Sequence, residues 1–503
     1  MNEAYWIESA GGKTYDKLEK DMETDYLIIG GGFAGLTCFY LLAGAGLQVI
    51  LIDADRVGYG VSGRNTGKVS AQHGLIYHSL VNKFGLERAK LYYEINQKAV
   101  DFIENTIAQF NIDCGFMRLP SYVYTNHDDY VKKIENEYEA YESLGIEGGI
   151  TEEIPLPIKI QKAVYMSNQA QMHPKRYLDE LAAKGVERGG TLYENTRVVD
   201  FEPGGTCRVT TADGPVIKAR NVIITTHFPC YDGLGFYFAK LHPKRTYAVM
   251  ADYRVDFPKA HFINAENPTR SLRYIDEEKA ILIVGESHKV GHQIDDHYSE
   301  LKQFGYEVFG LSDYRYQWSA QDYTPPHKLP FIGYLNSDMK NVYVATGFNK
   351  WGLTTGTAAG LIISNVIQNG DSPYRKVYRH TTLSDIASKE FIIENADVAF
   401  QLVTGKLRLG DTELPDEKGI ARVVNINGKR CGYYRDDQDE VYILDISCTH
   451  VGCELKWNEL EKTWDCPCHG SRFDYKGNVL EGPAELPLKS YQEKKNKINP
   501  QIV

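Results

Sequence analysis

The stretch DYLIIGGGFAG, residues 25–35, limits the possible folds more than any other part of this chain. A short apolar run, DYLIIG, reads as a buried strand. A small-residue segment, GGFAGLTCFYLLAGAG (31–46), reads as a helix, and LQVILID (47–53) as the next strand. That is a βαβ unit, and Gly30, Gly32 and Gly35 stand at its first turn in the spacing G-x-G-x-x-G. Gly30 permits the tight turn, Gly32 lets a pyrophosphate approach the backbone, and Gly35 allows the helix to pack close to the strand. Asp53, at the end of the second strand, can accept hydrogen bonds from a ribose diol. The unit predicts dinucleotide binding, with FAD and NAD both open at this point.

The rest of the chain predicts a large α/β part followed by a small all-β part. Residues 83–110 carry apolar positions three to five apart, the pattern of one long amphipathic helix. Between 190 and 225, TLYENTRVVDFEP, CRVTTADGPVIKA and RNVIITT read as short strands, and strands dominate 241–324 apart from a helical stretch near 295–309. NVYVATG (341–347) reads as a buried strand and GLTTGTAAGLIISNVIQNG (352–370) as a helix. Residues 373–404 are polar, begin near a proline and read as a partly helical connector. Beyond 405 the pattern is short strands and turns, with a hairpin signal at Asn427-Gly428.

Composition narrows the partners. With 56 basic and 67 acidic residues the formal charge is −11, which disfavours nucleic acid and anionic membrane surfaces. No stretch reaches the roughly 18 uncharged apolar residues of a membrane helix, and the N-terminus lacks the pattern of a signal peptide. The expected location is the cytoplasm. Five of nine cysteines, Cys38, Cys114, Cys207, Cys230 and Cys431, are scattered and read as buried thiols in a reducing compartment. The other four fall in CTHVGC (448–453) and CPCHGS (466–471).

Cys448, His450, Cys466 and His469 form C-x-H, fifteen residues, then C-x-x-H. Two cysteines and two histidines are a generic zinc set. Each limb here mixes one of each, however, and adds a second cysteine, Cys453 or Cys468, that zinc does not need. The pair CTHVGC and CPCHGS resembles the Rieske [2Fe–2S] proteins of respiratory and photosynthetic cytochrome complexes, and GPAELPLKSY (482–491) resembles their proline loop. The resemblance implies that Cys448 and Cys466 hold one iron and His450 and His469 the other. It also implies a Cys453–Cys468 disulfide joining the two ligand loops. Ser471 matches the family's serine, which hydrogen-bonds a cluster sulfur and raises the potential. Phe473 stands where high-potential members have a tyrosine, which implies a potential below the family's upper end.

A second resemblance resolves the dinucleotide. YGVSGRNTGKVS (59–70) is similar to the Ser-Gly-x-Asn-x-Gly stretch of D-amino-acid-oxidase-like flavoproteins, which points to Ser62, Asn65 and Gly67. MHPKRYLDELAAKGVERGGTLYENTRVVDF (172–201) resembles the segment whose backbone contacts adenine, at Val198. TGFNKWGLTTGTAAG (346–360) resembles the late flavin motif, with Gly347, Gly352, Thr354 and Thr355 at the isoalloxazine ring. The cofactor implied is FAD, held noncovalently, since no cysteine lies in that motif.

The expected fold is an α/β, Rossmann-like FAD-binding domain with an interleaved mixed-sheet substrate domain, plus a small all-β Rieske domain. The FAD part takes 1–85, 160–230 and 325–372, the substrate part 86–159 and 231–324, and the Rieske part 405–503. Arg245, Tyr247 and Arg273 fall in the region of the family's substrate-binding groups, and His73 is the candidate flavin- or substrate-facing residue. Together the two resemblances imply a dehydrogenase oxidising a small amine or amino-acid-like substrate, with electrons leaving singly through the cluster to an external carrier. The alternatives are a peroxide-forming oxidase and a non-enzymatic redox module.

Overall fold

The computed structural model describes residues 3–232, 235–291, 296–378, 389–404, 417–426 and 428–491. Asn427 of the hairpin signal, connector residues 379–388, and 405–416 and 492–503 of the expected Rieske span lie outside the described residues. Two large sheets and two small ones organise the chain.

The first large sheet has eight strands. At its centre Met22–Ile29 runs parallel to Val49–Ile52 on one side and Val216–Ile224 on the other, pairing Ile28 with Leu51 and with Ile223. Successive side chains alternate faces. Ile28, Leu51 and Ile223 therefore face a helical layer that includes Phe33–Gly44, Pro174–Glu187 and Gly352–Asn369. Leu27, Ile29, Ile50 and Ile52 face Val198, Phe201 and Val209 of an antiparallel meander. Covering on both faces accounts for the continuous apolar runs of these strands.

The second large sheet has nine strands, mostly antiparallel. Its strand His242–Asp252 lies between Ala280–Lys289 and Tyr314–Thr324. Tyr247, Val249 and Ala251 pack toward Leu301 of the helix His297–Phe309. Ala248 and Met250 pack on the opposite face against Trp6 and Trp318. Trp6 belongs to a short N-terminal helix, Tyr5–Glu8, and donates from Nε1 to the carbonyl of Asn65 at 2.7 Å.

Three boundaries differ from the sequence reading. The helix expected over 83–110 is two helices, Tyr77–Phe84 and Leu86–Phe110, divided by Gly85 at φ 83°. RNVIITT is the second half of one strand, Val216–Ile224. Lys68–Val69 and Lys162–Gln171, assigned by sequence to the FAD part, pair with each other in the second sheet. Backbone pairing with distant strands places them there, which local pattern does not show.

The C-terminal part holds a three-stranded sheet, Ala421–Ile426, Lys429–Arg435 and Val441–Asp445, and a four-stranded one between Lys456 and Glu481. Its core contains Trp464, Phe473, Leu455 and the four clustered cysteines. Among the described residues no helix is long and apolar enough to cross a membrane.

Candidate flavin and iron–sulfur sites

The glycine turn is built as its spacing requires. Gly30 adopts φ 108°, and a Cβ on Gly35 would lie 1.9 Å from the Gly30 carbonyl oxygen. The backbone at Gly32 opens toward Ser62, whose Oγ would be 2.8 Å from an added Cβ. Asp53 accepts from the amides of Gly31 (2.6 Å) and Asp55 (2.8 Å). Burial raises its pKa to about 6, against the pull of those two amides. A carboxylate has about four acceptor positions, so two remain for a ribose diol. The loop before Val198 is tied to the same place, since the Thr196 amide donates to the Asp53 carbonyl at 2.7 Å.

Asn65 holds the second flavin stretch in shape, donating to the Ser62 carbonyl at 2.6 Å and accepting from the Gly67 amide at 2.7 Å. Arg273 lies against Gly67 and donates to the Thr66 carbonyl at 2.7 Å. Of the three substrate-side candidates it is the one beside the flavin stretch. The late motif opens with Gly347 at φ 73°, followed by Asn349 and Lys350 in left-handed conformations and then the helix Gly352–Asn369. Asp322 accepts from the Lys350 amide at 2.7 Å and so holds this uncommon backbone. These features, a glycine cradle, a half-used carboxylate and a braced loop at a helix N-terminus, fit FAD.

His73 has no ring nitrogen left for a substrate. Its Nδ1 meets the Tyr92 hydroxyl at 2.5 Å, and its Nε2 meets the Ser70 carbonyl at 2.8 Å and Thr354 Oγ1 at 3.0 Å. Its ring stacks on Trp351, and burial lowers its pKa to about 3, so it is neutral. The structure corrects the expectation of a catalytic histidine: His73 positions the strand at Ser70 against the late helix. Thr354 also donates to the Ser70 carbonyl, and Thr355 donates to Asn96 at 3.3 Å. Tyr247 is buried among His288, His297 and Tyr298, away from the flavin stretches. Arg245 is also corrected, because it donates to Ser319 on the neighbouring strand and its carboxylate partners, Glu461 and Glu481, lie in the C-terminal part.

In the metal centre the buried Cys448 and Cys466 thiols influence one another, the pKa of the first being lowered and that of the second raised. Cys448 is drawn down to about 7, chiefly by Cys466. Burial opposes this, and the amides of His450 and Val451 and the Ser471 hydroxyl assist it. Donors aimed at a sulfur favour the thiolate that binds metal. His450 and His469 lie edge to face with ring centroids 5.1 Å apart, and the Nδ1 atom of each is buried without a partner. Burial lowers both pKa values, His469 to about 3, leaving the neutral imidazoles that ligation needs. Two sulfurs and two orphaned imidazole nitrogens at one place fit a Rieske cluster. Cys453 and Cys468 are joined as a disulfide. Their sulfurs come within 4.8 Å of Cys466, but a disulfide offers no thiolate, so these three are not a ligand set. Ser471 also accepts from the Ala484 amide at 2.9 Å, which ties the proline loop to the cluster, and Phe473 is buried in the core.

A seam with no local signature in the sequence brings the two sites together. Tyr323 accepts at its carbonyl from the Asn349 amide, 3.3 Å away in the late flavin motif. Its hydroxyl donates to the carbonyls of Gly482 (3.0 Å) and His469 (3.3 Å). Phe238 and Phe228 stand edge-on to His469 and His450 respectively. The alternation of YRYQWSAQDYT marks buried positions but does not reveal which domain covers them.

Fold and sites together define a flavoprotein oxidoreductase joined to a Rieske iron–sulfur domain. The FAD dependent oxidoreductase family matches residues 25–366 and the Rieske [2Fe-2S] domain family residues 409–492. The chain belongs to the FAD-dependent oxidoreductase family, with FAD and a Rieske cluster as its cofactors. It is 39% identical to YhfW of Bacillus subtilis (strain 168), whose name describes a Rieske 2Fe-2S iron-sulfur protein, over 97% of each chain. Its fold is that of L-proline dehydrogenase from P. horikoshii (TM-score 0.59, 18% identity, 71% of this chain and 98% of that one). Glycine oxidase from Geobacillus kaustophilus has the same fold (TM-score 0.60, 17% identity, 73% and 99%).

Proposed function

We propose that this chain is a dehydrogenase that oxidises a C–N bond of an amine or amino-acid-like substrate and sends the electrons one at a time to an external carrier. When bound, FAD supplies hydride acceptance and the cluster supplies one-electron transfer. Loss of a hydride from carbon and a proton from nitrogen leaves an imine, which water splits into a carbonyl compound and an amine. Two electrons leave per substrate, so two one-electron carriers are reduced.

The seam at Tyr323 carries this reading, because one residue touches both the late flavin loop and a cluster-ligand loop. Two solved proteins of the same fold named for amino acids support the substrate class. Arg273, beside Gly67, is the residue we assign to the substrate side of the flavin.

The test is an anaerobic titration with secondary and tertiary amines, N-methyl amino acids and amino acids. Flavin absorbance and the reduced-cluster paramagnetic resonance signal are followed together. The expected result is bleaching of the flavin followed by growth of the cluster signal. Bleaching with an oxidised cluster, and one peroxide per substrate in air, would replace this reading with an oxidase. Bleaching by none of the compounds would replace it with a redox module that lacks a substrate.

A further inference from the structure

The Rieske part meets the second sheet around a buried ion cluster. Arg245, on the strand His242–Asp252, is wholly buried and reaches across the seam to Glu461 at 3.3 Å and Glu481 at 2.7 Å. Arg472 approaches the same two carboxylates from within the Rieske part and also binds Asp465 at 3.0 Å. Ser319 and Tyr298, both outside the Rieske part, donate to Glu461 as well. Two guanidinium groups thus pair with three carboxylates, all of them buried except Glu481, whose side chain is 24% exposed.

A buried set of charges tolerates only the arrangement in which each is paired, and its best-attested use is to fix one register. Backbone contacts beside it are equally restrictive. Gln321 donates to the Gly470 carbonyl at 2.8 Å, and a Cβ on Gly470 would lie 2.5 Å from that of Pro243.

We propose that the Rieske domain works from this docked position, with Arg245 as its clamp and Tyr323 as the residue that positions the His469 loop against the flavin loop. The domain does not swing between donor and acceptor. One electron crosses at a time, the reduced flavin being oxidised by one and the cluster reduced by one, and the external carrier empties the cluster before the second crossing. This rests on the relay proposed above.

The test uses full-length protein holding both cofactors. A light flash with EDTA as donor reduces the bound flavin without oxygen, and rapid freezing samples the growth of the reduced-cluster signal. In the unaltered protein the rate is expected to be independent of added glycerol. Arg245→Met leaves Glu461 and Glu481 short of a partner; the rate falls about tenfold or more and becomes viscosity-dependent, as expected when the docked fraction limits it. Tyr323→Phe withdraws one donor from two carbonyls and slows the rate about tenfold, while dithionite still develops the full cluster signal. Glu481→Gln, which keeps the shape of the seam, serves if Arg245→Met does not fold. A rate in the unaltered protein that falls with viscosity, or an unchanged rate in these variants, would overturn the clamp and leave the relay standing. A cluster that never reduces in the unaltered protein would overturn both.

Discussion

Replacing Cys453 and Cys468 with alanine tests how far the cluster loops depend on the bridge between them. The two residues are 15 apart in sequence, and each lies in the core beside a ligand. Closing a 15-residue loop in the unfolded chain is worth about 3 kcal/mol in the chain-entropy account. At about 1.4 kcal/mol per factor of ten, that shifts the folding equilibrium of the Rieske part by about two orders of magnitude. Loss of buried sulfur packing acts in the same direction. The assay is urea unfolding followed by the visible absorption of the cluster, with flavin absorption as an internal reference for the larger part. The double variant should lose cluster absorption at a clearly lower urea concentration while the flavin transition moves less. Dithiothreitol on the unaltered protein should approach the same result. An unchanged cluster midpoint in the double variant would refute the reasoning and would mean that the ion cluster and the core around Trp464 hold the loops without the bridge.

Three further outcomes are expected. Ser471→Ala removes one hydrogen bond to the Cys448 sulfur; at about 1 kcal/mol this lowers the cluster potential by about 40 mV, read by a redox titration of its paramagnetic signal. Gly35→Ala places a Cβ 1.9 Å from the Gly30 oxygen, and the purified protein should lack flavin absorbance while keeping the cluster spectrum. Burial would raise the Glu461 carboxyl, but Arg472 and Arg245 outweigh it and hold the group at about 2, below the roughly 4.3 of an unfolded glutamate. Its contribution is therefore complete above about pH 4.3 and is lost as pH falls toward 2. Urea stability measured at pH 6, 4 and 3 should fall, and less steeply in Glu461→Gln.

Much of each cofactor site was legible in the sequence because its chemistry is local. The spacing of Gly30, Gly32 and Gly35 within one turn, and of Cys448 with His450 or Cys466 with His469 within one loop, is set by a few bonds of backbone. His73 shows the limit of such reading. Its neighbourhood in sequence suggested a group facing flavin or substrate, yet Tyr92 and Thr354, distant in sequence, engage both its nitrogens. The break at Gly85 lies ahead of the first apolar position of the expected helix, Leu91, and the positive φ at Gly85 ends the first helix.

By itself the sequence determined the βαβ nucleotide unit, through periodicity and spacing over a few residues, and the order along the chain of that unit and the Cys/His motifs whose resemblance implied an iron–sulfur centre. The tertiary structure alone decided where the second centre sits. Arg245 and Glu461 are 216 residues apart, and Tyr323 and His469 are 146 apart. A strand's alternation marks a side chain as buried without naming what buries it, so the partner across the seam is fixed by packing of whole sheets, by pairing of buried charge and by close approach of backbone.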